Sequence, residues 1–186
     1  GIVISASHNT KEYNGLKCYG ADGGQMTEIP AGKVSAAIET IDLFQPVALT
    51  FRQALAQGTV EVIAESVWQA YYDRIYREAI APRRVREAGL RVVYSPLCGA
   101  GGEPVAHMLE RLGAEYHIPQ SQKEPSGEFA TCPSPNPEND ASFAACYKLA
   151  DEVKPDLIMA TDPDSDRIAV AIPTASGYRK FSGNEM

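Results

Sequence analysis

Arg91-Val92-Val93-Tyr94, Gly99-Ala100-Gly101-Gly102, Pro104 to Leu112 and Ala114 to Ile118 read in succession as strand, glycine-rich loop, helix and strand. Further along, a helix is expected from Asn139 or Asp140, either of them a good N-cap, to about Ala150. It leads into the apolar run Leu157-Ile158-Met159-Ala160, an acidic loop and a second apolar run, Ile168 to Ile172. Strands and helices that alternate in this way imply an α/β fold: a mixed, mostly parallel sheet with helices on both faces.

Toward the N-terminus the pattern is looser. Ile2-Val3-Ile4 is a short β-rich run, followed by Ser5-Ala6-Ser7-His8-Asn9-Thr10, which is built of small and polar loop formers. Ser7 therefore lies just past a strand end, where α/β proteins usually place their chemistry. Leu16 to Tyr19 reads as a returning strand and Gly20 to Gly24 as a turn. Val34, Ile38 and Ile41 give Pro30 to Ile41 a helical spacing, and Val67, Trp68, Tyr71, Tyr72, Ile75, Tyr76 and Ala79 do so more strongly for Ser66 to Ile80. Those aromatics read as core. Residues 42–65 are left without assignment, and Pro119 to Asn139 is read as an irregular loop because its prolines remove amide donors. A domain boundary is expected near residues 65–85.

The 186 residues are 44% hydrophobic and 22% charged, the composition of an ordinary folded protein. The chain is read as a fragment, because Gly1 opens directly in an apolar stretch and Met186 follows Gly183-Asn184-Glu185, where a helix is expected to begin. A formal net charge of -7 argues against nonspecific nucleic-acid binding, which depends on Lys and Arg. No run approaches the roughly 20 apolar residues of a membrane span, and no membrane partner is expected. Cys18, Cys98, Cys132 and Cys146 lack any C-x-x-C spacing, so reduced thiols in a cytoplasmic protein are the expectation.

Asp162-Pro163-Asp164-Ser165-Asp166-Arg167 sets three carboxylates within five residues, between two apolar runs. Carboxylates this close repel one another unless a cation neutralises them. All-oxygen ligands suit Mg²⁺ or Mn²⁺, with a phosphate oxygen as the natural missing ligand. A solvated acidic turn is the bland alternative. An EF-hand would need Gly where Arg167 stands and Glu where Pro173 stands. A dehalogenase-type phosphatase would use Asp162 as nucleophile, but its motif has Thr or Val in place of Asp166.

Ser7 alone means little, since a serine hydroxyl needs activation to act as a nucleophile. His8 and Lys17 are candidate proton carriers. Taken together, Ser5-Ala6-Ser7-His8-Asn9, Tyr13-Asn14-Gly15-Leu16-Lys17, Ser95-Pro96-Leu97-Cys98-Gly99-Ala100-Gly101, Pro135-Asn136-Pro137-Glu138 and Asp162 to Arg167 resemble the α-D-phosphohexomutase family, in family order. The resemblance implies a phosphoserine at Ser7 and Mg²⁺ held by Ser7, Asp162, Asp164 and Asp166. It also implies a phosphoserine contact from Arg167 and proton transfer assisted by His8 and Lys17. In a four-domain fold of that kind, residues 1–66 would be the end of domain I, 67–182 domain II and 183–186 the start of domain III.

The implied reaction moves a phosphoryl group between C1 and C6 of a hexose phosphate through Ser7 and a hexose bisphosphate. Glucose is favoured over mannose or a pentose from overall resemblance, and the isolated chain is expected to lack turnover because the family's sugar loop belongs to domain III. Thr10 stands where the family usually has proline, and Cys98 where it commonly has histidine. Gly99 to Gly102 reads as a structural turn, since it lacks the Lys and Ser/Thr of a P-loop. His107 and His117 read as structural. A non-catalytic sugar-phosphate or metal-binding module is the rival from another class.

Overall fold

Val92 and Tyr94 face one side of a strand and Val93 the other, as the two-residue period of extended chain requires, and all three are fully buried. That strand anchors the fold. The computed structural model describes residues 1–42, 44–45 and 49–186. In chain order the regular elements are β1 (Ile2–Ser5), β2 (Gly15–Cys18), α1 (Glu28–Glu39), α2 (Phe51–Ala56), α3 (Glu65–Glu78) and α4 (Pro82–Ala88), then β3 (Arg91–Ser95), α5 (Gly102–Leu112), β4 (Glu115–His117), α6 (Gln120–Lys123), α7 (Ala144–Val153), β5 (Leu157–Thr161), β6 (Ile168–Thr174) and β7 (Gly177–Ser182). They form two compact units: Gly1–Val3 with Lys17–Arg74, and Ile4–Leu16 with Ile75–Met186.

In the first unit the Gly1 ammonium donates to the Tyr19 carbonyl, and an isolated bridge joins Tyr19 to Gln25 across the glycine-rich turn. The expected helix at Pro30 to Ile41 is α1, shifted two residues toward the N-terminus. Within the unassigned stretch 42–65, residues 43 and 46–48 lie outside the described residues. Residues 51–56 form α2 behind a capping box in which the Thr50 hydroxyl accepts from the Gln53 amide and the Gln53 side chain accepts from the Thr50 amide.

The aromatic helix forms as α3, but its rings do not make the expected core. Tyr72 is buried, whereas Trp68 and Tyr71 remain exposed at 41% and 50%. The rings pack mainly along their own helix: Trp68 stacks on Tyr72 at 6.1 Å, and Tyr71 tilts against Tyr72 at 5.6 Å. Helical spacing aligned these side chains without specifying what would cover them.

The second unit contains a five-stranded sheet in the order β4-β3-β5-β6-β7. Leu109 and Ala114 pack with Val92 and Tyr94 on one face, joined by Val85 from α4. Phe143, Cys146 and Ala150 pack with Val93, Ile158, Ala160, Ala169 and Ala171 on the other. Helices therefore cover both faces. The sheet is mixed, with less parallel character than expected. β3 runs parallel to β4 and β5, but the β5–β6 and β6–β7 pairs are antiparallel. Parallel strands need a crossover of a dozen or more residues, and the connections 162–167 and 175–176 are far too short.

Further differences have local causes. α4 went unread although it carries Pro82 at its first turn and ends on Gly89 at φ +59, the common start and stop pair of a short helix. Neither Asn139 nor Asp140 caps α7. A 3₁₀ turn, Asp140–Phe143, precedes it, and the Asn139 side chain donates to Ser134 Oγ instead. The proline-rich stretch carries one helical turn, α6, before its first internal proline. β7 was not anticipated, and residues 183–186 form no helix. There the Glu185 carboxylate accepts from the Ser182 amide and hydroxyl, closing a turn.

The acidic connection between β5 and β6 rests on the glycine loop that follows β3. The Ala100 amide donates to the Pro163 carbonyl at 2.8 Å. A Cβ on the buried Gly99 would lie 2.2 Å from Pro163 Cα and 2.5 Å from its carbonyl oxygen, so the two backbones touch because Gly99 has no side chain. Gly99→Ala should cost about 1–3 kcal/mol or more, the range of core overpacking. Gly127→Ala, with nothing within 4 Å of the new methyl, should be close to neutral. Urea unfolding of the two variants checks this: equal stability would remove the steric account of Gly99.

Candidate functional site

The two ends of the sequence pattern meet at one hydrogen bond. Ser7 Oγ donates to Asp162 Oδ2 at 3.0 Å, across 155 positions of chain. Ser7 follows β1 in the left-handed region at φ +53, an unfavourable place for a side chain, and local bonds hold it there. Its amide donates to Ser5 Oγ at 2.8 Å, and the Asn9 amide donates to the Ala6 carbonyl at 3.0 Å. His8 Nδ1 lies 3.2 Å from Ser7 Oγ.

Thr10, the departure from the family's proline, keeps a backbone that proline itself would adopt, with φ -68 and ψ 155. Its hydroxyl bonds to the Glu12 carboxylate and is the main reason that this carboxyl sits below its usual range. The turn after it is tied down by an ion pair from Lys11 to Glu128 in the long loop before α7. Both partners are solvent-exposed, so the pair fixes geometry more than it adds stability.

Asp162 directly follows β5 and is fully buried. Its Oδ1 accepts from the Arg167 amide at 3.0 Å, its amide donates to the Arg167 carbonyl at 3.3 Å, and the Ser165 amide donates to its carbonyl at 3.0 Å. With Ser165 at φ +60, these bonds curl the connection so that one oxygen from each of Asp162, Asp164 and Asp166 falls within 4.8 Å of the others. Burial pushes the Asp162 carboxyl up to about 6, and the neighbouring Asp164 adds to the rise; the Arg167 amide and the Ser7 hydroxyl pull the other way. A buried anion beside a second carboxylate, with a third within reach and a hydroxyl already attached, is a donor set for a hard divalent cation. The residues fit Mg²⁺ or Mn²⁺.

The other anticipated residues fall as follows. Arg167 joins the cluster through its backbone, and its side chain is exposed beside the aspartates. Lys17 stands in β2 and belongs to the other compact unit. Cys98 is buried in the core, with its thiol 3.6 Å from Thr131 Oγ1 and 3.9 Å from the Ser121 carbonyl. His117 pairs with Glu115 at 3.0 Å at the sheet edge, and His107 lies within α5. The Gly99 to Gly102 run serves as a packing surface for the acidic connection, the turn-like role expected of it. The Lys11–Glu128 tie and the Gly99–Pro163 contact were not legible, because each joins positions far apart in sequence that carry no shared motif.

Residues 69–177 match the family model for phosphoglucomutase/phosphomannomutase, alpha/beta/alpha domain II, and residues 1–45 match the model for alpha/beta/alpha domain I. A phosphoglucomutase of Staphylococcus saprophyticus is 32% identical over 193 residues, covering 100% of this chain and 34% of its own length. One from Staphylococcus epidermidis is 29% identical over 188 residues with the same coverage. The chain thus spans about a third of the length of the curated relatives it matches. Among solved structures, one carried under the name of a phosphomannomutase from Thermus thermophilus superposes with a TM-score of 0.70 at 21% identity, over 93% of this chain and 36% of that one. A phosphoglucomutase/phosphomannomutase family protein from Burkholderia thailandensis gives 0.56 at 18% identity, over 92% and 33%. These two show the shared fold. The domain II model alone spans more than half of the sequence, and the serine and acidic loops meet in space, so the chain belongs to the phosphoglucomutase/phosphomannomutase family.

Proposed function

We propose that the chain carries the phosphoryl-transfer centre of a phosphohexomutase, with Ser7 as the group that holds the phosphate and Asp162, Asp164 and Asp166, joined by Ser7, as ligands of Mg²⁺. The observation that supports this most is the Ser7 Oγ to Asp162 Oδ2 bond at 3.0 Å within a set of three carboxylates. We assign residues 1–66 to the end of domain I, 67–182 to domain II and 183–186 to the start of domain III. Glucose 1-phosphate and glucose 6-phosphate are the proposed substrates, in line with the names of the Staphylococcus relatives, and a hexose bisphosphate is the proposed intermediate. A cytoplasmic setting fits the four free cysteines, and no helix among the described residues is long and apolar enough to cross a membrane.

Starting from phosphorylated Ser7, a sugar hydroxyl oxygen forms the new bond to phosphorus as the Oγ–P bond breaks. The hydroxyl's proton passes to Ser7 Oγ by way of His8, with Lys17 in the same role on the other proton path. The bisphosphate then reverses its orientation, and its other phosphoryl group returns to Ser7 with the opposite bond changes. Arg167 sets positive charge against the phosphoserine. A bound Mg²⁺ supplies charge withdrawal from the phosphoryl oxygens. The rival phosphatase chemistry needs Asp162 as nucleophile, and both of its carboxylate oxygens already accept hydrogen bonds, from Ser7 and from Arg167. Since the chain spans about a third of its relatives, we expect no mutase turnover from these 186 residues alone.

Two outcomes test this reading. In the longer protein of which this chain would form part, incubation with glucose 1,6-bisphosphate should add one phosphate to Ser7, read by intact mass and peptide mapping, and none to a Ser7→Ala variant. Because Ser7 is half-buried and donates to the buried Asp162 carboxylate, the variant should lose about 1–3 kcal/mol of stability while remaining folded. Phosphate on Asp162 would establish the phosphatase chemistry instead, and no covalent phosphate would leave a binding module.

The second outcome concerns pH. The Asp162 carboxyl in the folded chain sits above its usual value, so the metal-free fold holds that proton more tightly than the unfolded chain does and loses stability as pH rises through about 6. Mg²⁺ should therefore raise the melting temperature strongly at about pH 7.5 and little at about pH 5. Asp162→Asn should remove the Mg²⁺ shift at both. An equal Mg²⁺ shift in that variant would place the cation elsewhere.

A further inference from the structure

Gly101 is the N-cap that precedes α5, the position where Ser, Thr, Asp or Asn is usually preferred for its capping side chain. Here no side chain fits. A Cβ at Gly101 would lie 2.4 Å from Ser165 Oγ, 2.6 Å from Tyr94 Oη and 3.0 Å from Thr161 Oγ1. Three hydroxyls from three separate parts of the chain thus converge on a single point. Tyr94 comes from β3, Thr161 is the last residue of β5, and Ser165 is the apex of the acidic connection.

Tyr94 and Thr161 fix each other. Tyr94 is fully buried, and its hydroxyl lies 2.9 Å from Thr161 Oγ1. Thr161 directly precedes Asp162, and Ser165 separates Asp164 from Asp166. Whatever sets the position of these two hydroxyl residues therefore sets the spacing of the three carboxylates. Neither Tyr94 nor Gly101 belongs to the set of residues that would touch a cation or a substrate.

We propose that Tyr94, Thr161 and Gly101 are positioning residues for the acidic loop: the hydroxyl cluster over the bare Cα of Gly101 seats Ser165 and so holds Asp164 and Asp166 at cation-binding distance from Asp162. The proposal rests on the reading that the three aspartates bind a divalent cation. Gly101→Ala pushes a methyl into Ser165 and Tyr94 and displaces the apex. Tyr94→Phe keeps the ring in the core but removes the hydroxyl that holds Thr161. Thr161→Ser keeps that hydroxyl and Thr161→Val removes it.

Mn²⁺ binding to the 186-residue chain, followed by electron paramagnetic resonance of the free ion, separates the possibilities when paired with thermal unfolding. Wild type should bind Mn²⁺. Tyr94→Phe, Thr161→Val and, if it folds, Gly101→Ala should each bind about tenfold more weakly, the usual consequence of losing a partner that orients a metal ligand. Thr161→Ser should bind nearly as wild type does. Val92→Ala, which hollows the same face of the sheet without touching a hydroxyl, should lower the melting temperature and leave Mn²⁺ affinity unchanged. Wild-type affinity in Tyr94→Phe and Thr161→Val, or an equal loss in Val92→Ala, would overturn the positioning role and leave the cation site standing. Absence of Mn²⁺ binding by wild type would overturn both.

Discussion

The hydrogen bond from Ser7 Oγ to Asp162 Oδ2 is the constraint on which the site depends, because it joins the serine loop to the acidic connection at the level of the reacting atoms. Each side of that bond is prepared locally. On one side Ser7 is held in the left-handed region by the Ser5 hydroxyl, and the chain beyond it is tied through Lys11 to Glu128. On the other, Asp162 is locked by amide bonds from within its own six-membered connection, so its carboxylate cannot turn away. The bond forms between two surfaces that are already shaped.

Electrostatics explains why such a site asks for a ligand. Asp162 is out of water, and Asp164 and Asp166 each bring an oxygen within 4.8 Å. A cluster of that kind, ionised and uncompensated, opposes its own fold, and the raised proton affinity of Asp162 is the visible sign. A divalent cation reverses the balance, since the same burial that penalises lone carboxylates strengthens their hold on a metal. The glycine loop after β3 serves this arrangement from below: Gly99 admits Pro163, and Gly101 admits Ser165.

Much of this was legible in the sequence, for reasons that can be traced to particular residues. The run Arg91-Val92-Val93-Tyr94 before a glycine-rich loop placed β3, and the apolar runs on either side of Asp162 to Arg167 placed β5 and β6, so the acidic residues could be set on a connection between strands. The length of that connection also carried the strand direction. Residues 162–167 cannot cross over a sheet, and the antiparallel β5–β6 pair follows from that alone. What stayed hidden were relations between distant positions. Nothing near Gly99 announces Pro163, and nothing near Lys11 announces Glu128. The aromatic spacing of α3 was visible, but the surface that would cover Trp68 and Tyr71 was not.

On the proposed reading, Ser7 and the three aspartates form one cation site. A crystal of the chain grown with Mn²⁺ and measured with anomalous scattering tests it directly. A single strong anomalous peak bonded to Ser7 Oγ and to one oxygen each of Asp162, Asp164 and Asp166 is expected. A peak bonded to the aspartates with Ser7 turned away, or no peak at this position, would contradict it.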